Sequence, residues 1–271
     1  MSHIPKAARY LPVLMYHHVS DAPGLVTVSP ATFRDHMAWL VRHGWTTVGS
    51  AEVEDFYAGR PLPKKSVVVT FDDGYLDYYL HAHPVLAEFG QKALLFVVTG
   101  WMGEGSVRMG GDCPDHKQCK AMIARNEADA VILRWAEAEV MQAAGTFEFH
   151  SHTDTHTRWD KQLLPGAARL DAMMAELFRS AEVLGHRLGG GSRHLCWPQG
   201  YYEADYLTLA RQAGYTHLYT TEARSNKASD DPTRIGRVVT KEKSGGWLGR
   251  RLAIYTTPLL ADLYARRKAV P

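Results

Sequence analysis

The sequence predicts an α/β protein in which helix–strand units surround a parallel sheet or barrel. Helical patterns alternate with short β-rich runs along the chain, and a glycine separates the two patterns at Gly44, Gly90, Gly145 and Gly214. Two further apolar runs, 11–16 and 66–71, are continuous enough to be buried parallel strands. No low-complexity linker divides the 271 residues, so a single domain covering 1–271 is expected.

The first helix has a clear beginning and end in the sequence. Ser29 is suited to the N-cap and Pro30 to the first helical position. Apolar residues then follow at helical spacing, at Phe33, Met37 and Leu40. Gly44 is expected to end the helix because the residue after a helix often needs a positive φ. Strands are then predicted after the four glycines, at 45–48, 93–98, 146–149 and 215–221.

Composition narrows the function before any motif is considered. Thirty-one Lys and Arg against 29 Asp and Glu give a net charge of +2, which argues against nucleic acid as a partner. Three cysteines cannot form a closed set of disulfides. The N-terminus lacks the apolar core of a signal peptide, so a cytoplasmic protein in a reducing compartment is expected. Fourteen histidines direct attention to metal or proton chemistry.

Two carboxylates, Asp72 and Asp73, directly follow the predicted strand 66–71, and Gly74 comes next. In a parallel α/β fold this strand end is where active sites lie. Carboxylates beside a buried strand are costly unless they meet a cation or take part in chemistry. The alternative is a pair of solvated aspartates in a turn, which is common for an isolated Asp-Asp-Gly.

A second polar group follows the predicted strand 146–149, with three histidines at positions 150, 152 and 156. His152 and His156 are four residues apart and can reach one ion from a helical turn or a tight loop. A carboxylate with two neutral imidazoles is a typical three-ligand set for a catalytic divalent ion. The alternative is a histidine-rich surface loop. The presence of the Asp pair in the same chain disfavours this alternative.

These residues resemble the motifs of the polysaccharide deacetylase family, carbohydrate esterase family 4. Residues 70–74, Thr-Phe-Asp-Asp-Gly, and 152–156, His-Thr-x-x-His, resemble its first two motifs. Residues 194–201 resemble the family's strand that ends in Pro-Tyr/Phe-Gly, and 14–19 resemble the Tyr-His stretch of the branch acting on bacterial surface glycans. The resemblance covers about residues 11–240.

The resemblance implies a distorted (β/α) barrel and assigns roles to individual residues. Asp72 would be the general base, and Asp73, His152 and His156 would hold a divalent ion. Zn²⁺ is the ion expected, with Co²⁺ or Ni²⁺ as alternatives. Such an ion polarises the acetamide carbonyl and lowers the pKa of a water. A backbone N–H at Gln199 would help to stabilise the tetrahedral oxyanion.

The chain departs from the family pattern in two places. The usual late Leu-x-His has no counterpart near the C-terminus. In circularly permuted members of the family the N-terminal Tyr-His stretch supplies this histidine, so the resemblance implies His17 as the acid that protonates the amine, with His18 as the alternative. Only one of two neighbours on a strand can face the site. Cys196 stands where the third motif often has arginine, so Arg234 or Arg237 would have to orient the base.

The resemblance implies a metal-dependent N-deacetylase acting on an N-acetylhexosamine of a bacterial glycan: lipopolysaccharide core, a lipid-linked intermediate or an exopolysaccharide. The alternatives are a catalytically silent glycan-binding domain and a deformylase of a lipid-linked amino sugar. The side chains predicted to contact substrate are Tyr75, Trp159, Trp197, Pro198 and Tyr201.

Two segments interrupt the helix–strand alternation. The insertion 101–130 carries Cys113, His116 and Cys119, which would form either a small zinc site or part of a lid over the glycan cleft. The C-x5-C spacing is not a recognised structural zinc spacing, which favours the lid. The basic segment 245–271 would either touch an anionic inner membrane or a lipid-linked substrate, or pack on the barrel.

Overall fold

The computed structural model of the protein describes residues 7–257 together with 259 and 260. The strands of this part are β1 (Val13–Tyr16), β2 (His18–Val19), β3 (Thr27–Val28), β4 (Thr46–Thr47), β5 (Ser66–Asp73), β6 (Ala93–Val97), β7 (Phe147–Ser151), β8 (His194–Cys196), β9 (His217–Tyr219) and β10 (Val238–Val239). Its α-helices are α1 (Pro30–Arg42), α2 (Ser50–Tyr57), α3 (His83–Phe89), α4 (His116–Ala124), α5 (Trp135–Ala143), α6 (Trp159–Gln162), α7 (Ala167–Leu188), α8 (Ala204–Gln212) and α9 (Gly245–Tyr255). A single π-helical turn, Tyr78–Ala82, precedes α3.

The main sheet is parallel throughout and runs in the order β10-β1-β5-β6-β7-β8-β9, with β4 paired to the start of β5. Ile235 pairs with Tyr219 of β9, and Val238 pairs with Leu14 of β1. Residues 235–239 therefore contact both ends of the sheet and close it. This closure confirms the predicted distorted (β/α) barrel.

The two faces of the sheet pack into separate clusters because side chains alternate along a strand. Val67, Val69 and Phe71 of β5 lie in the cluster that includes residues of the surrounding helices. Val68 of β5 belongs instead to a cluster inside the barrel, together with Phe96 of β6. Residues of α2 complete this inner cluster, so α2 covers one end of the barrel.

The local signals predicted the ends of α1 correctly. The side chain of Ser29 accepts a hydrogen bond from the Thr32 N–H at 3.1 Å, and Pro30 is the first helical residue. The four glycines expected after helices have positive φ angles, between 58° and 92°: Gly44, Gly90, Gly145 and Gly214. One strand is longer than predicted. β5 extends through both aspartates because Asp72 and Asp73 pair in register with Phe96 and Val97 of β6.

The described part of the C-terminal segment packs on the barrel through α9. Leu248 and Leu252 are buried, and α9 lies against α1 so closely that a Cβ at Gly249 would sit 2.1 Å from the Trp39 ring. This contact agrees with the packing interpretation for 245–255. Residues 258 and 261–271 of the predicted basic segment lie outside the described residues. Within the described ranges, no helix has the length and apolar character that crossing a membrane requires.

The insertion is joined to the barrel by a buried ion pair. Glu137 of α5 is fully buried, and its carboxylate accepts hydrogen bonds from Arg108 Nε at 2.7 Å and Arg108 Nη2 at 2.6 Å. The backbone N–H of Arg134 also donates to it, at 2.8 Å. Tyr75 and Ile132 form an antiparallel bridge nearby. These contacts fix the insertion beside the end of β5.

Arg108→Ala should destabilise the fold because it leaves the buried Glu137 carboxylate without its cation. We expect the free energy of unfolding to fall by about 3–5 kcal/mol, measured by urea denaturation. Arg125→Ala is the matched control, since the exposed Arg125–Glu127 pair is screened by solvent and its loss should leave the transition unchanged. Equal effects of the two substitutions would contradict this account of the insertion.

Candidate active site

Asp72 lies at the carboxyl end of β5 and is held by a bidentate ion pair. Arg237 Nη1 is 2.7 Å from Asp72 Oδ1, and Nη2 is 2.8 Å from Oδ2. Burial alone would raise the pKa of Asp72, but Arg237 and His152 outweigh it and keep the pKa below its usual value. Asp72 is therefore ionised at neutral pH, as a base must be. Arg234 instead pairs with Glu222 at the surface, which decides between the two predicted arginines.

Asp73 is directed toward the two histidines of the second motif. Its Oδ1 lies 3.4 Å from His152 Nε2 and 3.5 Å from His156 Nε2. Two ligands bound to Zn²⁺ at 2.0–2.1 Å in tetrahedral geometry are about 3.3 Å apart. The three donor atoms thus have the spacing of a metal site, and their types fit a divalent transition metal.

The ring of His152 is fixed from its other side. Its Nδ1 donates a hydrogen bond to the backbone carbonyl of Cys196 at 2.7 Å, which leaves Nε2 with a lone pair facing Asp73. A ligating histidine usually has such a second partner. Burial raises the pKa of the Cys196 thiol, and its Sγ lies 3.0 Å from Arg237 Nη2 and 3.8 Å from Asp72 Oδ2. Cys196 is a buried residue of β8, and the fold brings it beside the candidate base.

Backbone strain is concentrated around these ligands. Five non-glycine residues in the described part have positive φ, and four of them belong to the site: Asp73 (78°), Thr153 (66°), His156 (61°) and Gln199 (57°). Such conformations cost about 1–3 kcal/mol each and persist where the surroundings fix them. The two histidine ligands are therefore supplied by a strained loop after β7, the tight loop among the predicted alternatives.

His17 and His18 face different surroundings. His17 Nε2 lies 3.8 Å from Asp72 Oδ2 at the open side of the site. Burial lowers the pKa of His17, and the Asp72 charge partly opposes this shift. His18 points away from the site. Its Nδ1 is 2.6 Å from Asp77 Oδ2 and its Nε2 is 3.1 Å from His116 Nδ1. Of the two candidate acids, the structure brings only His17 to Asp72.

These groups surround a small pocket of about 110 Å³. The insertion contributes His116 and Lys120 to its wall, so α4 borders the entrance as expected of a lid segment. Gln199 lines the pocket as well, and its side chain accepts a hydrogen bond from Arg158 Nη1 at 3.0 Å. The pocket therefore combines an ionised base, a three-donor set and a lysine.

The alternative of a small zinc site in the insertion is not supported. Among the described side chains that could hold a metal, no group of three includes Cys113 or Cys119. Cys119 Sγ faces the carbonyl oxygen of Pro114 at 3.5 Å, and burial raises the pKa of both thiols to about 12. His116 is directed to His18 instead. Of these three residues, only His116 lines the pocket.

Three of the five side chains predicted to contact substrate are buried in the structure. Trp197 is fully buried against Tyr206, and Pro198 is also buried. Tyr75 stacks on His18 with ring centroids 4.0 Å apart and is enclosed. These rings cannot reach a sugar in this conformation.

The other two predicted contacts remain accessible. Trp159 is half-buried. Tyr201 is exposed, and the Arg158 guanidinium lies 3.9 Å from the centre of its ring. Arg158, Lys120 and Asp77 were not identified from the sequence. A single charged residue outside a motif carries no indication in the sequence that it belongs to a site. Asp77 nevertheless follows the Asp-Asp-Gly motif by only three residues.

Comparison with known proteins agrees with this geometry. A family model described as polysaccharide deacetylase matches residues 59–218. YxkH of Bacillus subtilis (strain 168), which carries the name of a polysaccharide deacetylase, is 40% identical over 241 residues, covering 88% of this chain and 75% of its own. The poly-beta-1,6-N-acetyl-D-glucosamine N-deacetylase of Escherichia coli (strain K12) is 24% identical over 241 residues and 80% of this chain. The chain spans only 34% of that E. coli relative.

Solved structures share the fold over almost the whole chain. IcaB from Ammonifex degensii aligns with a TM-score of 0.72 and 28% identity, covering 94% of this chain and 99% of its own. The Streptococcus pyogenes deacetylase PplD, in complex with acetate, aligns with a TM-score of 0.73 and 21% identity, covering 92% and 99%. Together with the matched family model and the relative at 40% identity, these alignments show that the chain belongs to the polysaccharide deacetylase family of amide-bond hydrolases.

Proposed function

We propose that the protein is a metal-dependent N-deacetylase that removes acetyl groups from N-acetylhexosamine units of a bacterial exopolysaccharide. The observation that carries this proposal is the side-by-side arrangement of two buried carboxylates with different partners. Asp72 is paired with Arg237 and free to act as a base, while Asp73 faces His152 and His156 at metal-ligand spacing. Amide hydrolysis assisted by a metal needs both kinds of carboxylate.

A divalent ion held by Asp73, His152 and His156 would polarise the acetamide carbonyl and lower the pKa of a nearby water. Asp72 takes the proton from the attacking water, and Arg237 keeps this carboxylate ionised and correctly oriented. The backbone N–H at Gln199 would stabilise the developing oxyanion. His17 gives a proton to the departing amine, and acetate and a free amino sugar result.

The proposed substrate rests on the relatives. The E. coli relative is named for poly-beta-1,6-N-acetyl-D-glucosamine, as are relatives in Staphylococcus aureus that match 80% of this chain at 22% identity. We propose an N-acetylglucosamine-containing exopolysaccharide as the substrate on this basis. Lipopolysaccharide core and lipid-linked intermediates, together with a cytoplasmic location and membrane contact, stay predictions from the sequence.

The purified protein should release acetate from β-1,6-linked N-acetylglucosamine oligosaccharides in a metal-dependent manner. Treatment with a chelator should abolish release, and Zn²⁺ or Co²⁺ should restore it. Asp72→Asn should lower kcat by about 100-fold or more, since it removes the base but keeps the shape of the side chain. Acetate is measured enzymatically and bound metal by mass spectrometry. The variant should keep the metal content of the original protein.

The same assay separates the alternatives. Formate release from N-formylated sugars without acetate release would identify a deformylase. Metal bound at full stoichiometry with no acetate or formate from any acylated sugar would favour a silent glycan-binding domain. Acetate release only from lipid-linked or core oligosaccharides would identify those glycans, rather than an exopolysaccharide, as the substrate.

His17→Asn and His18→Gln should have different effects because the two rings face different partners. His17→Asn should lower kcat by about 100-fold with little change in Tm, as expected for loss of a proton donor. His18→Gln disturbs the bond to buried Asp77 and should lower the stability by about 1–3 kcal/mol while reducing kcat far less. Thermal unfolding and steady-state kinetics measure both. Unchanged kcat in His17→Asn would show that the acid lies elsewhere.

A further inference from the structure

A second group of histidines lies inside the barrel, away from the active-site pocket. His194 and His217 are the first residues of β8 and β9 and pair in register, and His150 of β7 lies beside His194. The ring centroids are 4.9 Å apart for His150 and His194 and 4.8 Å apart for His194 and His217. All three side chains are buried. The proposed deacetylation uses none of them.

Glu54 of α2 completes this group from the covered end of the barrel. Its Oε1 lies 3.4 Å from His194 Nε2, and ligand atoms of Glu54, His194 and His217 all lie within 4.8 Å of one another. An N–H···O hydrogen bond would be about 2.9–3.0 Å long. The distance instead matches the separation of about 3.3 Å between two ligands of a tetrahedral zinc ion. It is also the separation found between Asp73 and His152.

The other ring nitrogens support the same interpretation. Nδ1 of His194 lies 2.9 Å from the Tyr219 hydroxyl, and Nδ1 of His217 lies 2.9 Å from the Thr216 hydroxyl. Metal-ligating histidines usually have such an oxygen partner at the second nitrogen, which leaves the first nitrogen free to ligate. Nε2 of His194 is fully enclosed, faces Glu54 and has no hydrogen-bond partner. A buried polar atom without a partner is costly, and a cation at this position would supply that partner.

The surroundings of Glu54 leave room for a cation at this position. Arg193 Nη1 lies 3.4 Å from Oε2 of Glu54, which leaves Oε1 for the ion. The Glu54 side chain is 29% exposed, so the ion and a completing water can enter from solvent.

We propose that Glu54, His194 and His217 form a second site for a divalent transition-metal ion, with Zn²⁺ favoured by the donor set. An ion there would join α2 to the amino-terminal ends of β8 and β9. Its role would be structural, because the site lies at the opposite end of the barrel from the pocket. This proposal is independent of the proposed reaction.

The test is a count of bound zinc in the full-length protein. Metal-stripped protein is saturated with Zn²⁺, desalted and analysed by mass spectrometry. We expect two equivalents per chain for the original protein and one for the double variant Glu54→Gln/His217→Gln. The variant Asp73→Asn/His156→Gln should also retain one equivalent. Asp55→Asn is the matched control on the same helix, since Asp55 is paired with exposed Arg60, and it should keep two.

A second readout covers the case in which His217→Gln prevents folding. In the Asp73→Asn/His156→Gln background, Zn²⁺ should raise Tm, because an ion that binds only the folded state stabilises it. Adding Glu54→Gln, a substitution of a partly exposed side chain, should lower the affinity for Zn²⁺ about tenfold or more. Absence of zinc from Asp73→Asn/His156→Gln, two equivalents in Glu54→Gln/His217→Gln, or a Zn²⁺ affinity unchanged by Glu54→Gln would each overturn the proposal.

Discussion

The buried ion pair between Asp72 and Arg237 connects the architecture to the chemistry. Arg237 belongs to the segment 235–239 that closes the barrel, and Asp72 lies at the carboxyl end of β5. A buried carboxylate on its own would be protonated or would destabilise the fold, whereas a bidentate guanidinium keeps it charged. The segment that closes the sheet thus also supplies the side chain that keeps the candidate base ionised. Removing one partner would affect stability and activity together.

The positions of the three donor atoms depend on local backbone strain rather than on an ion pair. Asp73, Thr153 and His156 hold positive φ angles, and Gln199 across the pocket does the same. The neighbouring strands β5, β6 and β7 are paired over several residues and fix the ends of these loops. Because the donors are positioned before any ligand arrives, little ordering remains to be done on binding. The stability of the parallel sheet offsets the free-energy cost of the strained backbone.

The two ends of the barrel have different characters. At the carboxyl ends of the strands, the insertion adds His116 and Lys120 to a pocket that residues of the family motifs line in large part. At the other end, α2 covers the barrel and brings Glu54 to a row of buried histidines. A barrel interior normally holds apolar side chains. Polar clusters at both ends therefore require separate explanations, one catalytic and one structural.

The sequence by itself determined the fold class, the helix and strand pattern and the candidate ligand set. These features are encoded locally: a cap at Ser29, a glycine after four of the helices, and ligand residues at short spacing after a strand. The resemblance on residues 70–74 and 152–156 added the barrel, and the structure and the family comparison agree with it. Local spacing was sufficient because the strand ends in a parallel sheet share one edge.

Only the tertiary structure decided which side chains meet across the barrel. Arg237 rather than Arg234 reaches Asp72 because barrel closure turns this residue inward. His17 rather than His18 faces the site because neighbours on a strand point to opposite sides. Trp197 is buried because α7 and α8, the helices before and after it in the sequence, both pack into the cluster around its ring. Such contacts depend on which faces of distant elements come together, and the one-dimensional pattern does not contain that information.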